Sequence, residues 1–469
     1  MRSEATVPAL PMACATGMIG RMDQEARRVE PVRDGRSIPD ESSSGIGRLR
    51  QAAIYRAGVY GRRPKIPTSW PGLEAKAQAV LSRRARAYVA GGAGLESTIH
   101  ANTDGFERWR IVPRVLHDVG HRYLTIELFG RVLPAPLLLG PVGVLSLAHR
   151  DADVAAARAA AAERVPMVLS NQASRSMEEC VAVMGDSPRW FQLYWSTVDE
   201  LVESFLARAE ACRCDAIVVT LDTTLLGWRP GDLDLGSLPF AHGLGIAQYT
   251  SDPVFTRLVE QRARGGQRGG RQQRPTAAAL RALLSIARTY PGRTWSNLRS
   301  PLPRAAVETF LDIYSRPSIT WRNLGWLRDR TRLPIVLKGI LHPDDARRAV
   351  DHGVDGIIVS THGGRQVDGG IGAIDALPEV VSAVAGALPV LFDSGVRSGA
   401  DMVKALALGA RAVLIGRPWV YGLALGGSEG VRDVVRNLLA EFDLTLGLVG
   451  CASVSDVGEI TLVPAPPRG

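Results

Sequence analysis

Lysine is nearly missing from this chain: Lys65, Lys76, Lys338 and Lys404 stand against 52 arginines, so positive charge is carried by guanidinium groups and a lysine at a structured position stands out. No run of 18 apolar residues occurs, which excludes a spanning helix of the usual kind. The moderately apolar stretch 8–19 lacks the long apolar region and basic flank of a secretory signal, so a cytoplasmic protein without stable membrane insertion is expected. Cysteine is scarce and odd in number: Cys14, Cys180, Cys212, Cys214 and Cys451. Cys212-x-Cys214 falls one residue short of the CxxC spacing of metal and redox sites, so the expectation is buried free thiols and no metal.

What the chain has in excess is unevenly spread. Residues 253–332 hold sixteen arginines against Glu260, Glu308, Asp312 and Asp329, a local charge of +12 within a net charge of +9, so the rest is slightly acidic. Inside this stretch, 262–274 is a low-complexity Arg/Gly/Gln segment with neither interleaved aromatics nor a recognised nucleic-acid module, and reads as a solvated loop with no nucleic-acid partner. Residues 1–50 mix eight arginines with seven acidic residues, show no sustained period and contain four of the eight methionines. They read as a disordered extension, or as an over-long start with Met12, Met18 or Met22 as the true first residue; ordered structure is expected from about Ile54.

From residue 136 onward, short apolar β-rich runs alternate with amphipathic helical patterns. The runs are 136–140, 166–170, 190–195, 216–222, 334–338, 356–360, 389–393 and 412–415. Helical patterns cover 151–164, 174–184, 197–212, 321–330, 343–351, 376–384 and 399–408. Continuous apolar runs mark strands buried on both faces, and eight β/α units specify a parallel (β/α)8 TIM barrel over 51–469. More than a hundred residues, 223–333, separate the fourth run from the fifth, far beyond the usual connection, and predict a lid. Its one clear helix, 279–288, sets Leu280, Leu283, Leu284 and Ala287 on one stripe. That stripe is expected to pack against the barrel rather than on a membrane surface.

In such a barrel the reactive groups sit where the strands finish. Those positions read Gly140-Pro141-Val142-Gly143, Ser170-Asn171-Gln172, Gln192-Leu193-Tyr194, Thr220-Leu221-Asp222, Lys338-Gly339, Ser360 to Arg365, Asp393-Ser394-Gly395-Val396-Arg397 and Gly416-Arg417. His362 and Arg365 share a glycine turn, joining a group able to take a proton near neutral pH to a planar fork able to hold a carboxylate, a pairing that suits a 2-hydroxy acid. A solvated histidine beside a surface ion pair is the bland alternative for that segment alone. Lys338 could neutralise developing negative charge or form a Schiff base, against the alternative of an ammonium reaching solvent at the rim. Two Gly/Arg clusters at the last two strand ends match the phosphate-binding position of barrels.

These residues carry a family likeness. Tyr88-Val89-Ala90-Gly91-Gly92-Ala93, Phe191-Gln192-Leu193-Tyr194, Leu337-Lys338-Gly339, Ser360 to Gln366 and Leu391-Phe392-Asp393-Ser394-Gly395 resemble the FMN-dependent 2-hydroxy acid oxidising family, over about Ile54 to Val457. Within it, Gly227-Trp228-Arg229-Pro230, Asp252-Pro253-Val254-Phe255, the stretch 342–351 and Gly426-Gly427-Ser428 look most like lactate 2-monooxygenase. The resemblance implies an FMN enzyme acting on L-lactate or a similar acid, with oxygen as acceptor, assembled as a homotetramer. It implies His362 as base, Asp222 stabilising the imidazolium, Tyr88, Arg229 and Arg365 on the substrate carboxylate, and Tyr194 on the oxygen that becomes a carbonyl. Lys338, Gln192, Thr220 and Ser170 would meet the flavin ring, with Pro141, Val142 and Gly143 beside it, while Ser360, Asp393, Ser394, Gly395, Arg397, Gly416 and Arg417 would complete the cofactor site towards the phosphate arm. Thr361, Asn171 and Gln172 depart from the family pattern, which puts the substrate's size in question. Release of a 2-oxo acid with peroxide, a quinone-linked dehydrogenase with the lid helix on anionic lipid, and a catalytically silent binding barrel are the competing readings.

Overall fold

The computed structural model describes residues 45–265 and 276–465. Eight parallel strands close into a barrel in chain order, each hydrogen-bonded to its sequence neighbour and the last to the first. We label them β1 (Leu137–Leu139), β2 (Met167–Leu169), β3 (Arg189–Leu193), β4 (Ile217–Thr220), β5 (Ile335–Lys338), β6 (Gly356–Val359), β7 (Val390–Asp393) and β8 (Ala412–Ile415). All eight apolar runs read from the sequence are strands of this barrel.

Side-chain alternation divides the strands between two packed layers. Leu138, Val168, Trp190, Val218, Val336, Ile358, Leu391 and Leu414 fill the interior, and a hairpin of Ile126–Leu128 and Arg131–Leu133 plugs its floor with Ile126, Leu128 and Leu133. Leu137, Phe191, Ile217, Leu337, Ile357 and Val413 face outward into the ring of helices. The barrel is thus a filled core with its chemistry confined to the rim. A strand pair of Trp109–Val112 with Thr461–Pro464 ties the approach to the barrel to the chain's last described residues.

Three expectations need correction. Ordered structure starts well before Ile54, with the helix Gly45–Val59. That helix has only Gly47 buried and no apolar stripe to read; it is held by polar bonds to the far end of the chain, Gly47 N–H to Asp443 Oδ2 at 2.8 Å and Arg50 to Asn437 and Asp433, both at 2.9 Å. The expectations for 1–44, including the start residue, lie outside the described residues. The segment 262–274 is not wholly a loop: Arg262 and Arg264 end the helix Pro253–Arg264, where Arg262 pairs with Asp312, while 266–274 lie outside the described residues. Finally, the lid helix Ala277–Thr289 packs chiefly on other lid elements, the helices Thr294–Arg299 and Leu302–Ile313 and the turn Pro239–His242, and not chiefly on the barrel. Its Ser285 Oγ donates to His242 O at 2.9 Å.

Cys180, Cys212, Cys214 and Cys451 are buried free thiols, and no metal-binding cluster and no helix long and apolar enough to cross a membrane occurs among the described residues.

Candidate active site

Parallel register sets the site. Thr220 at the end of β4 lies beside Lys338 at the end of β5, and Lys338 beside Ile358 of β6. The chain runs two residues past Thr220 to Asp222 and two past Ser360 to His362, so those side chains meet above β5. His362 Nδ1 stands 2.7 Å from Asp222 Oδ1, and Thr223 Oγ1 donates to the same oxygen at 2.8 Å. An ionised Asp222 accepts only, so it fixes the proton of a neutral His362 on Nδ1 and leaves Nε2 with its lone pair.

Lys338 lies beneath this pair, 3% exposed. Its Nζ donates to Ser360 Oγ at 2.9 Å and lies 3.4 Å from both Asp222 Oδ2 and Asp393 Oδ2. Burial alone would lower the Lys338 pKa, but the two carboxylates hold it above the ordinary value. Burial works on Asp222 the other way, and His362 with Lys338 overcomes it, keeping that carboxyl well below the usual range. Burial, with Lys338 and Arg229 nearby, pulls His362 below the ordinary imidazole value against the opposing field of Asp222. The imidazole is therefore neutral at neutral pH.

The turn that presents His362 is strained. His362 itself has φ +55°, followed by Gly363 and Gly364 at +65° and +75°. A side chain on Gly364 would put its Cβ 2.7 Å from the backbone nitrogen of Ile99, so only glycine fits. A left-handed non-glycine residue costs about 1–3 kcal/mol and is kept where the surroundings fix it. Here Ser360 Oγ accepts from His362 N–H at 3.0 Å and Ser394 Oγ from Thr361 and Gly363 N–H at 3.2 and 3.0 Å.

One void opens above these groups, about 930 Å³ out to its mouth, and it brings together Tyr88, Pro141, Val142, Gly143, Ser170, Gln192, Tyr194, Arg229, Lys338, His362, Arg365, Asp393, Gly416 and Arg417. Thr220, Ser360, Ser394 and Gly395 do not line it. Thr220 accepts from Gln192 Nε2 at 3.0 Å, and Ser170 Oγ donates to Gln192 Oε1 at 3.1 Å, so one polar ladder crosses the ends of β2, β3 and β4. Arg397 is also set apart: its guanidinium stacks on the Trp70 ring at 4.0 Å, donates to Val396 O at 2.9 Å and borders a neighbouring cavity with Glu74 and Arg83.

Four guanidinium groups, Arg229, Arg365, Arg397 and Arg417, crowd this end of the barrel, and among the described residues none of them forms an ion pair with a carboxylate. Burial and Arg229 pull Arg365 down to about 9, and burial with Arg417 pulls Arg397 down to about 10; both remain charged at neutral pH. Arg365 Nη1 donates to the carbonyls of Tyr88 and Gly91, and Arg229 donates to Arg365 O at 3.1 Å and Gln366 Oε1 at 2.8 Å. Among the described residues, no hydrogen bond reaches Arg365 Nε and Nη2 or Arg229 Nη1. Such a cluster is built for anions.

The residues present fit a flavin with a phosphate arm. The ladder Ser170–Gln192–Thr220 and Lys338 give a flat heteroaromatic ring a polar edge. Arg397 Nε is buried without a partner, Gly416 leaves open space out to Val142 Cγ2 at 3.9 Å, and the helix Arg417–Leu448 starts there with its N-terminus toward the void.

Sequence reasoning missed Phe240, Tyr314, Leu226 and Thr223, all lining the void. The first three come from the lid, where nothing local announces which aromatic turns inward; Thr223 sat next to Asp222 and could have been read as its partner.

Comparison with known proteins agrees with this geometry. A family model described as FMN-dependent dehydrogenase matches residues 77–464. The FMN-dependent alpha-hydroxy acid dehydrogenase qulF of Penicillium citrinum is 44% identical over 87% of this chain and 93% of its own length. An L-lactate oxidase of Lysinibacillus sphaericus is 41% identical, covering 80% of this chain and 87% of that protein. A mandelate oxidase structure with (S)-4-hydroxymandelic acid superposes with a TM-score of 0.70 at 35% identity, over 85% of this chain and 99% of that one. With its closed barrel, its imidazole beside a carboxylate and its cation-lined void, the chain belongs to the FMN-dependent dehydrogenase family and is an FMN-dependent 2-hydroxy acid oxidoreductase.

Proposed function

We propose that this chain oxidises L-lactate or a similar L-2-hydroxy acid with molecular oxygen as acceptor, using His362 as the base. The observation that carries the reading is the 2.7 Å contact of Asp222 with His362, which lines one void with Arg229, Arg365 and Lys338. FMN, when bound, takes the two electrons leaving the substrate carbon and passes them on. Arg365 and Arg229 hold the substrate carboxylate through their open donors, with the Tyr88 hydroxyl beside them. That grip turns the 2-hydroxyl region toward His362 Nε2, which takes the proton, and Asp222 stabilises the imidazolium that results. Burial and Asp222 push the Tyr194 phenol up, so it stays protonated and donates to the oxygen that becomes a carbonyl. Lys338 holds positive charge at the ring's polar edge. Ser170 and Gln192 hold the ring, with Thr220 fixing the Gln192 amide and Pro141, Val142 and Gly143 beside the ring. Ser360, Asp393, Ser394 and Gly395 support that site, and Gly416 and Arg417 hold the phosphate arm, with Arg397 adding its charge from the neighbouring cavity.

The finer reading is a lactate 2-monooxygenase: lactate and oxygen give acetate, carbon dioxide and water because the 2-oxo acid is retained until the peroxide formed beside it decarboxylates it. Phe240 and Tyr314, lid residues that wall the void, support retention. The second reading is an oxidase that releases 2-oxo acid and hydrogen peroxide, favoured by relatives named L-lactate oxidase. Quinone-linked turnover on a lipid surface has less support, because the lid helix Ala277–Thr289 turns Ile286 and Ala287 into the protein. The cytoplasmic expectation rests on the reading of residues 8–19 and the homotetramer on the family resemblance alone; sedimentation checks the assembly.

Turnover of L-lactate under oxygen, scoring acetate, pyruvate and peroxide together, tests the product. Acetate without free peroxide supports the monooxygenase; pyruvate with stoichiometric peroxide replaces it with the oxidase. If no 2-hydroxy acid bleaches the flavin on anaerobic mixing, the whole reading falls.

A further inference from the structure

One polar side chain in the void has no task in the chemistry above. Gln172 follows β2 and is 8% exposed. Its main chain is fully used: the N–H donates to Ser170 Oγ at 3.1 Å and the carbonyl accepts from Val144 N–H at 2.9 Å. Among the described residues, no hydrogen bond reaches its side-chain amide, although the residue lines the void. Its stem is wedged: a Cβ on Gly143 would lie 3.0 Å from Gln172 Cβ and 2.9 Å from its carbonyl oxygen.

The surroundings are flat and apolar. Phe240 flanks the same glycine as Gln172, since a Cβ on Gly245 would meet Gln172 O at 3.0 Å and Phe240 Cε1 at 3.1 Å. Phe240 is fixed in turn by Phe310 and Tyr314, with ring centroids at 5.1 and 6.3 Å. Leu226 lines the same void.

A primary amide offers two donors and an acceptor, and burying it unmet against an apolar ligand carries a penalty that an apolar residue of the same size would avoid. Phe240 and Tyr314 give flat surface for a ring or an extended apolar body. We infer that Gln172 selects the substrate's side chain: the preferred 2-hydroxy acid has an apolar or aromatic body that ends in a hydrogen-bonding group, which the Gln172 amide receives. This rests on the proposed 2-hydroxy acid oxidation and narrows its substrate class beyond lactate.

The test compares substrate pairs that differ only by the polar group, mandelate with 4-hydroxymandelate and 2-hydroxybutyrate with 2,4-dihydroxybutyrate, on the FMN-loaded enzyme and on Gln172→Leu and Gln172→Met. The hydroxylated member of at least one pair should lead by about tenfold to a hundredfold in kcat/KM in the parent enzyme. Both variants should lose or invert that ratio. Dissociation constants of the corresponding 2-oxo acids, titrated against the flavin spectrum, should shift the same way, and flavin content confirms that each variant is folded. A ratio near one for both pairs in the parent, or an unchanged ratio in both variants, overturns the inference while any bleaching of the flavin leaves the 2-hydroxy acid reading intact. No bleaching by any 2-hydroxy acid overturns both.

Discussion

Asp222 divides its two carboxylate oxygens between unlike tasks: Oδ1 meets His362 Nδ1 at 2.7 Å, and Oδ2 faces Lys338 Nζ at 3.4 Å. One buried charge therefore orients the imidazole and balances the lysine below it. Removing any of the three disturbs the other two, in directions that can be told apart.

His362→Gln should slow flavin reduction by about two to four orders of magnitude. The glutamine keeps a polar group of similar reach but cannot take the proton, and His362 is not among the groups assigned to hold the flavin. Anaerobic stopped-flow mixing reads the rate, and the visible spectrum reads FMN content. Full loss of FMN would instead make His362 a cofactor-binding residue.

The acid limb of the kcat/KM profile carries a second expectation. His362 sits below the ordinary imidazole value because burial, Lys338 and Arg229 outweigh the upward pull of Asp222. The base should therefore stay deprotonated, and activity persist, below the pH at which a free imidazole protonates. In Asp222→Asn the one upward pull is gone, so the limb should move to still lower pH while the maximal rate drops. A limb that moves upward would contradict the assigned pairing.

Lys338→Met leaves Asp222 and Asp393 facing each other in a buried site with their shared cation removed. Breaking such a pair from one side costs about 3–5 kcal/mol, which should lower the urea midpoint of the holoenzyme. The midpoint potential of the bound flavin should fall as well, because positive charge at the ring's polar edge favours the reduced form. Loss of stability with an unmoved potential would confine Lys338 to a structural role.

The barrel was legible because eight apolar strands, each buried on both faces, write their burial into consecutive residues. The polar ends of those strands marked the rim, and His362, Lys338, Arg229 and Arg365 line one void, with Asp222 held against His362. What escaped is decided by contacts between distant segments. Nothing within the helix Gly45–Val59 shows that Asp443 and Asp433 will hold it. Nothing near Phe240 or Tyr314 shows which face of a long insertion turns to the site. Arg397 was read at the right strand end, but its direction depends on Trp70, a stacking partner more than three hundred residues earlier.

Asp153 gives a pH-dependent stability test away from the chemistry. It lies in the helix Ala152–Glu163, 1% exposed, where Oδ2 accepts from Ser174 and Arg175 N–H at 2.8 and 3.1 Å and Oδ1 has no partner. Burial pushes this carboxyl up to about 7, against the pull of those backbone donors. The folded chain thus keeps a proton that an unfolded aspartate releases near about pH 3.9. Its contribution to stability is full below that pH and is lost as pH rises through about 7. Asp153→Asn keeps an acceptor for the two N–H groups and cannot ionise, so it should be less sensitive to alkali over this window, with a difference of up to about 4 kcal/mol. Urea midpoints of both proteins at about pH 5 and about pH 7.5 measure it. The parent should lose more stability than the variant between the two; parallel losses would mean that Asp153 is already ionised in the fold at the lower pH. Because the same carboxylate anchors the loop that carries Gln172, the variant also asks whether clamping that loop matters to substrate choice, read as the ratio of kcat/KM within the hydroxylated pairs at the higher pH.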